Sequence, residues 1–456
     1  MNKFTKITAS IGPKCEDYDT LAQMVRAGMN VCRLNFSHDT GDVQGAKIDL
    51  IRRVASDLNT PVAVMIDLQG PKHRIGNFAT EDKYPLTIGQ KFTFDDDPTP
   101  GDATRVQLPD ADVMKSLNPG DRILLNDGKI EMTVDTVADN KIVATVVRGD
   151  EIWSRRGFNL PDTDIATSVL TPKDRADLEY AITKKPDWVA ISFVQRPEDV
   201  AEVRDFITAR TSHPIKIIAK IERPNAVERI ADIAAAADGI MVARGDLAVE
   251  VPFEQVPAIS RHIIRTCRML NRPVIMATQM LGTMVASEFP TRAEISDVAN
   301  AAYLRTDSTM TSEETTIGVN PVNVIETMAK IVTYADYDAI THPSDWLRTE
   351  NVPENDWSRS VASMAYLNHA SAIVVFARDT DIATKISCRK PDIPIIAVCR
   401  DAVVANQLCL SRGVFPICDD ALFGQRDGFN SARLFGISSG QLVIVDDEKI
   451  SLRAMD

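Results

Sequence analysis

The chain has few means of building a disulfide scaffold or a zinc centre. Its seven cysteines are scattered, odd in number and never fall in a C-x-x-C pair, so reduced thiols are expected and a zinc site is not. No apolar run reaches the roughly 18 residues that a membrane helix needs. The opening MNKFTKITASIG has neither a long apolar core nor a small-residue cleavage site, so no signal peptide is expected. These absences point to a cytoplasmic protein with no membrane partner. Positive charge is also scarce: 51 Lys and Arg stand against 64 Asp and Glu, a net charge of −13. Such a surface disfavours nucleic acid as a partner. If this protein handles phosphates, its cations must be concentrated at special places.

What is present is a repeat of strand and helix. At roughly 150 residues per domain, 456 residues suggest about three domains. Eight short apolar runs read as strands: 4–10, 30–35, 62–67, 188–193, 215–220, 239–243, 273–277 and 308–312. Helical patterns lie between most of them, as at 18–27, 200–210 and 256–270. Strand then helix, eight times over, predicts an α/β fold with a parallel (β/α)8 TIM barrel, residues 1–69 giving its first part and 169–342 its second. Residues 70–168 interrupt it with short alternating segments at 91–94, 122–125, 129–134 and 141–147, punctuated by turns such as Asn126-Asp-Gly128. They predict an inserted small β-barrel lid domain at the mouth. Residues 343–456 read as a C-terminal α/β domain behind a Pro-containing linker at 343–353, with strands at 371–376, 394–398, 414–418 and 441–445.

In a barrel of this kind the chemistry sits at the C-terminal ends of the strands. Here those ends carry Ser10, Arg33, Asn35, Ser37, Asp67, Ser192, Lys220, Glu222, Arg244, Asp246, Thr278, Gln279, Ser312 and Glu314. Lys220 and Glu222 are two apart, which puts them on one face of a strand. Alone, they would be an ordinary ion pair. Asp246 ends the next strand, and two carboxylates on adjacent strands can share one Mg²⁺ with water and substrate oxygens. Gly245 allows close backbone approach there. Arg33 and Arg74 suit a phosphoryl group, because guanidinium pairs with oxyanions bidentately. His38 follows a Ser at a strand end and reads more as a polar contact than as a base. His213 and His262 read as structural.

Several longer runs resemble the pyruvate kinase family. They are Ile218-Ala-Lys-Ile-Glu222, Asp238 to Leu247, Ala277-Thr-Gln-Met-Leu281, Pro290 to Ala301, Met29 to His38 and Ser10-Ile-Gly-Pro13. The resemblance spans nearly all of the barrel and is weaker in the C-terminal domain. It implies Mg²⁺-dependent phosphoryl transfer from phosphoenolpyruvate to ADP, usually by a homotetramer. It also implies roles. Glu222 and Asp246 would hold Mg²⁺, and Lys220 and Arg33 would face the phosphoryl group. Ser192, Gly245 and Asp246 would line the substrate carboxylate. Thr278, with Ser312 and Glu314, would serve protonation of the enolate. Asn35, His38, Arg74 and Arg156 would lie near the nucleotide.

Four departures stand out. Lys72 occupies a position where many members carry Glu beside a K⁺ held at residues matching Asn35, Ser37 and Asp67; its ammonium predicts that K⁺ is not required. Glu313 replaces a small residue next to Ser312, and the strand before it, Thr306 to Thr311, is unusually polar. The stretch 377–382 lacks Gly and carries two acidic residues, which disfavours a sugar phosphate there. His73 replaces the usual Ile. A non-catalytic regulatory relative would fit the departures, though Lys220, Glu222 and Asp246 are all kept. An aldolase-type lyase would share the carboxylates without needing a lid.

Overall fold

The computed structural model describes residues 3–165, 168–342, 356–447 and 449–455; the stretch 343–353, read as a linker, falls outside them. Eight parallel strands close a barrel: β1 (Lys6–Ser10), β2 (Val31–Asn35), β3 (Ala63–Asp67), β4 (Trp188–Ile191), β5 (Lys216–Ile221), β6 (Gly239–Ala243), β7 (Val274–Ala277) and β8 (Ser308–Thr311). Each coincides with a predicted strand to within two residues. Their side chains are buried toward both the helices and the axis, which is why they read as continuous apolar runs.

Local chemistry sets the helix boundaries. Asp17 caps the helix Tyr18–Ala27, and Gly28 ends it in the left-handed region at φ 116°. Thr171 with Asp174, and Thr291 with Glu294, form capping boxes that start the helices Pro172–Thr183 and Arg292–Tyr303. The polar β8 is accommodated by pairing hydroxyls: Thr8 with Ser308 at 2.8 Å, and Thr311 with Thr315 at 3.0 Å.

Between β3 and β4 stands a six-stranded sheet with its own core, which includes Phe92, Phe94, Ile123 and Met132. Two of its strands, Arg105–Gln107 and Phe158–Asn159, escape the sequence reading because they are three and two residues long. The C-terminal unit is a five-stranded sheet with apolar clusters on both faces. Its last strand, Lys449–Met455, pairs antiparallel at the edge and is largely solvent-facing, so it carries no apolar signal. Cys409 and Leu410 from this unit pack with the inward-facing barrel residues Val31, Ala63, Trp188 and Met241, plugging the N-terminal end of the barrel. None of the seven cysteines is in a disulfide. Among the described residues, no helix is long and apolar enough to cross a membrane.

Candidate active site

The strand ends bring Ser10, Arg33, Asp67, Ser192, Lys220 and Glu222 into one bonded set. At the end of β2, Arg33 donates from Nε to Asp67 Oδ2 at 2.7 Å and from Nη1 to Ser10 Oγ at 2.7 Å. Ser10 in turn donates to the Thr311 carbonyl at 2.8 Å, tying β2 to β8. On β5, Lys220 donates to Ser192 Oγ at 2.7 Å, and Ser192 donates to the Leu68 carbonyl. The Lys220 ammonium also lies 3.0 Å from Glu222 Oε1 and 3.3 Å from Asp67 Oδ1. Lys220, expected to face the phosphoryl group, thus bridges Asp67 and Glu222 while staying 12% exposed to the mouth.

Burial opposes the charge on Lys220, yet Asp67 and Glu222 outweigh it and hold the ammonium well above the usual lysine range. Burial also opposes ionisation of Asp67, but Lys220 and Arg33 keep it below the ordinary value. Glu222 is raised, chiefly by burial; Lys220 opposes the rise and Asp246 adds to it. Its Oε2 accepts the Phe193 amide at 2.7 Å. Its Oε1, like Asp67 Oδ1, is buried and accepts no well-formed hydrogen bond.

Thr278 follows β7 in the left-handed region at φ 70°, and Gln279 follows at φ 54°. A β-branched residue there is strained by roughly 1–3 kcal/mol and needs surrounding bonds to hold it. Its hydroxyl donates to the Ala277 carbonyl at 2.7 Å and accepts the Gly245 amide at 2.8 Å. The amide of Gly245, a residue expected to line the substrate carboxylate, is thus bonded to Thr278. Asp246 is 37% exposed, and the nearest cation to its carboxylate is Lys72, at 3.7 Å. Ser312 is half-buried, and its amide donates to Glu314 Oε2 at 2.6 Å; Glu314 Oε1 accepts the Leu281 amide. Glu313, expected to stand beside the site, is exposed.

The residues expected near the nucleotide are more open. Asn35 Oδ1 accepts the Ser37 amide at 3.1 Å, and its carbonyl is held by Gln44. Ser37 and His38 are exposed, and the His38 ring makes no polar contact. Arg74 donates to the Arg155 carbonyl at 3.2 Å and pairs through its backbone with Gly157. Arg156 donates to the Ser154 carbonyl and lies 4.8 Å above the Trp153 ring. His73 bonds Asp110 at 2.6 Å, so it fastens the hinge to the cap of the helix Ala111–Ser116 in the inserted domain.

The donor set fits a hard divalent cation. Glu222 Oε1 is a buried carboxylate oxygen with no well-formed hydrogen bond, held only by the Lys220 ammonium at 3.0 Å, and Asp246 stands at the neighbouring strand end. No cluster of three or more His, Cys, Asp or Glu suited to a metal occurs among the described residues. A cation held by these two carboxylates would complete its shell with water and substrate oxygens, as Mg²⁺ does in phosphoryl-transfer sites.

Two ion pairs escaped the sequence reading. Arg223 and Glu250 are buried 3.2 Å apart, and Arg223 also donates to the Leu160 and Thr163 carbonyls of the inserted segment. Arg244 and Asp297 form a bidentate pair at 2.8 Å. Their positions beside Glu222 and inside the Pro290–Ala301 run were the available signals.

The pyruvate kinase barrel-domain model matches residues 2–325, and the pyruvate kinase alpha/beta-domain model matches residues 355–445. A pyruvate kinase of Methylorubrum extorquens is 39% identical across 91% of this chain and 86% of its own length. One of Clostridium acetobutylicum is 36% identical across 97% and 95%. The crystal structure of a pyruvate kinase from Cryptosporidium parvum superposes with a TM-score of 0.93 at 29% identity, covering 100% of this chain and 96% of that one. With both domain models matched in order along a barrel whose strand ends carry the motif residues, the chain belongs to the pyruvate kinase family.

Proposed function

We propose that the mouth of this barrel transfers the phosphoryl group of phosphoenolpyruvate to ADP and protonates the resulting enolate to pyruvate. The observation that carries this reading is the Lys220 ammonium, held charged by Asp67 and Glu222 and still open to the mouth, one strand from Asp246. In-line phosphoryl transfer needs positioned positive charge more than covalent participation. Lys220 and Arg33 supply that charge from side chains already fixed by Ser192, Ser10 and Asp67, so little reorganisation is needed as charge spreads over the phosphoryl oxygens. Mg²⁺ bound at Glu222 and Asp246 would supply Lewis-acid stabilisation of those oxygens. Ser192, Gly245 and Asp246 surround the place for the substrate carboxylate, and Asn35, His38, Arg74 and Arg156 frame the approach of the nucleotide. Thr278 serves the second half. Its hydroxyl hydrogen is committed to Ala277 and one lone pair to Gly245, which leaves one lone pair to accept from a water whose other hydrogen faces the enolate carbon. Ser312 borders that water.

Lys72 carries a fixed positive charge beside Asp246. Asn35 Oδ1 and Asp67 Oδ2 are already bonded to Ser37 and Arg33. Both features support activity without K⁺ at a site that Asn35, Ser37 and Asp67 would otherwise furnish. A coupled assay of pyruvate formation with Mg²⁺ tests both parts, run in KCl and in tetramethylammonium chloride. Similar rates in both are expected. Activity only in KCl would discard the role of Lys72, and no pyruvate in either would discard the reaction. The homotetramer implied by the family is tested by light scattering, which should give about four times the mass of one chain.

A further inference from the structure

The run Pro290 to Ala301 supplies no group to the reacting atoms, yet it reaches the site through one side chain. Asp297 accepts from both terminal nitrogens of Arg244 at 2.8 Å. The same guanidinium donates from Nε to the Ala277 carbonyl at 3.1 Å and from Nη2 to the Thr278 carbonyl at 2.8 Å. These two carbonyls lie on either side of the Thr278 Cα, whose φ is in the left-handed region. The Ala277 carbonyl is also the acceptor of the Thr278 hydroxyl hydrogen. Each of the three Arg244 nitrogens thus donates to a protein group, and the side chain is only 18% exposed.

We infer that Arg244 and Asp297 are positioning residues for protonation of the enolate, acting through Thr278 and not through phosphoryl transfer. Asp297 orients the guanidinium fork, the fork holds the carbonyls on either side of Thr278, and those carbonyls fix where the threonine hydroxyl points. In the step concerned, a C–H bond forms at the enolate carbon with a proton from water held by Thr278. The enolate oxygen's electron pair closes the carbonyl double bond, and the hydroxide left behind is reprotonated from solvent. A fork is required because a single ammonium cannot bond two carbonyls and a bidentate carboxylate together. Lys220 and Arg33 bond neither Thr278 nor Arg244, so the phosphoryl half has separate supports. This inference rests on the reaction proposed above.

The test separates the two half-reactions in the full-length enzyme with Mg²⁺. Single-turnover quenched flow measures ATP formed from phosphoenolpyruvate and ADP. Nuclear magnetic resonance measures deuterium entering the pyruvate methyl group in D₂O with ATP present. Arg244→Lys is expected to slow methyl exchange at least tenfold while changing single-turnover ATP formation less than threefold. Asp297→Asn, at the outer end of the clamp, should show the same selectivity with a smaller loss, and Asp297→Glu should recover part of it. If Arg244→Lys does not fold, the two Asp297 variants decide the matter. Equal slowing of both half-reactions, or no slowing of exchange in a folded variant, overturns the inference. Failure of the unaltered enzyme to form ATP would instead overturn the proposed reaction.

Discussion

The mouth and the floor of the barrel both bury charge, and they differ in how their carboxylates are bonded. At the floor, Asp336 accepts the Phe4 and Thr5 amides on one oxygen and the Thr5 hydroxyl and Arg412 on the other. Asp307 accepts from Lys390 and the Arg412 amide on one oxygen and from the Val274 amide on the other. Both oxygens of Asp336 and both of Asp307 are used, and the bonds from Lys390 and Arg412 tie the C-terminal domain to the barrel domain. At the mouth, Asp67 and Glu222 sit against cations but each keeps one buried oxygen with no well-formed hydrogen bond. A satisfied ionic network locks domains, whereas an unsatisfied one is poised for a ligand.

If this contrast holds, substitutions at the two ends should fail in different measurements. The largest effect is expected at Lys220. Lys220→Met should lower the rate of pyruvate formation about 1,000-fold or more, because it removes preorganised charge from the transferring group. Its loss of stability should be smaller than that of a floor variant, since the mouth is open to water and ions. Next comes Asp336→Asn, which leaves Arg412 without its buried partner. It should cost about 3–5 kcal/mol in urea unfolding, with kcat of the folded fraction within about twofold of the unaltered enzyme. A large drop in kcat would show that the floor and mouth are coupled.

The smallest effect concerns pH. Lys6 is buried at the floor near Phe415, 4.5 Å from its ring centre, and burial pushes its ammonium down to about 8. A cationic group whose folded pKa is depressed favours folding above its unfolded pKa, near 10.5, and loses that contribution as pH falls toward the folded value. The stability of Lys6→Met relative to the unaltered chain should therefore rise by about 1–3 kcal/mol as pH falls from about 10.5 to about 8, then level off. Paired urea titrations across that range measure it. A flat difference would place Lys6 outside the buried floor.

The barrel was legible because β1 to β8 are buried on both faces and each has a polar residue at its last position or directly after it. Lys220, Glu222 and Asp246 could be read because a strand's period of two, and the step from one strand to the next, fix which side chains meet. The two bonds of Arg33 could not be read so directly. Asp67 and Ser10 lie on the strands on either side of it, and sequence alone does not give the side-chain reach between them. Arg244 looked like part of a turn because its partner Asp297 lies 53 positions later, on a helix face that periodicity assigns only to surface. Arg223 was hidden by its neighbour Glu222, since adjacent strand-end residues point in opposite directions. Lys72 was placed by analogy near Asn35, Ser37 and Asp67, while its ion-pair partner is Asp246. A hinge residue follows the backbone path of the inserted domain, which a single sequence does not fix.

The most direct test of the contrast is Mn²⁺ binding, used as a spectroscopic stand-in for Mg²⁺ and followed by electron paramagnetic resonance in the unaltered enzyme, Glu222→Gln and Asp336→Asn. The account predicts that Glu222→Gln weakens binding at least about tenfold and that folded Asp336→Asn binds as the unaltered enzyme does. Unchanged Mn²⁺ affinity in Glu222→Gln would contradict it, because the Glu222 carboxylate at the mouth would then have no metal to hold.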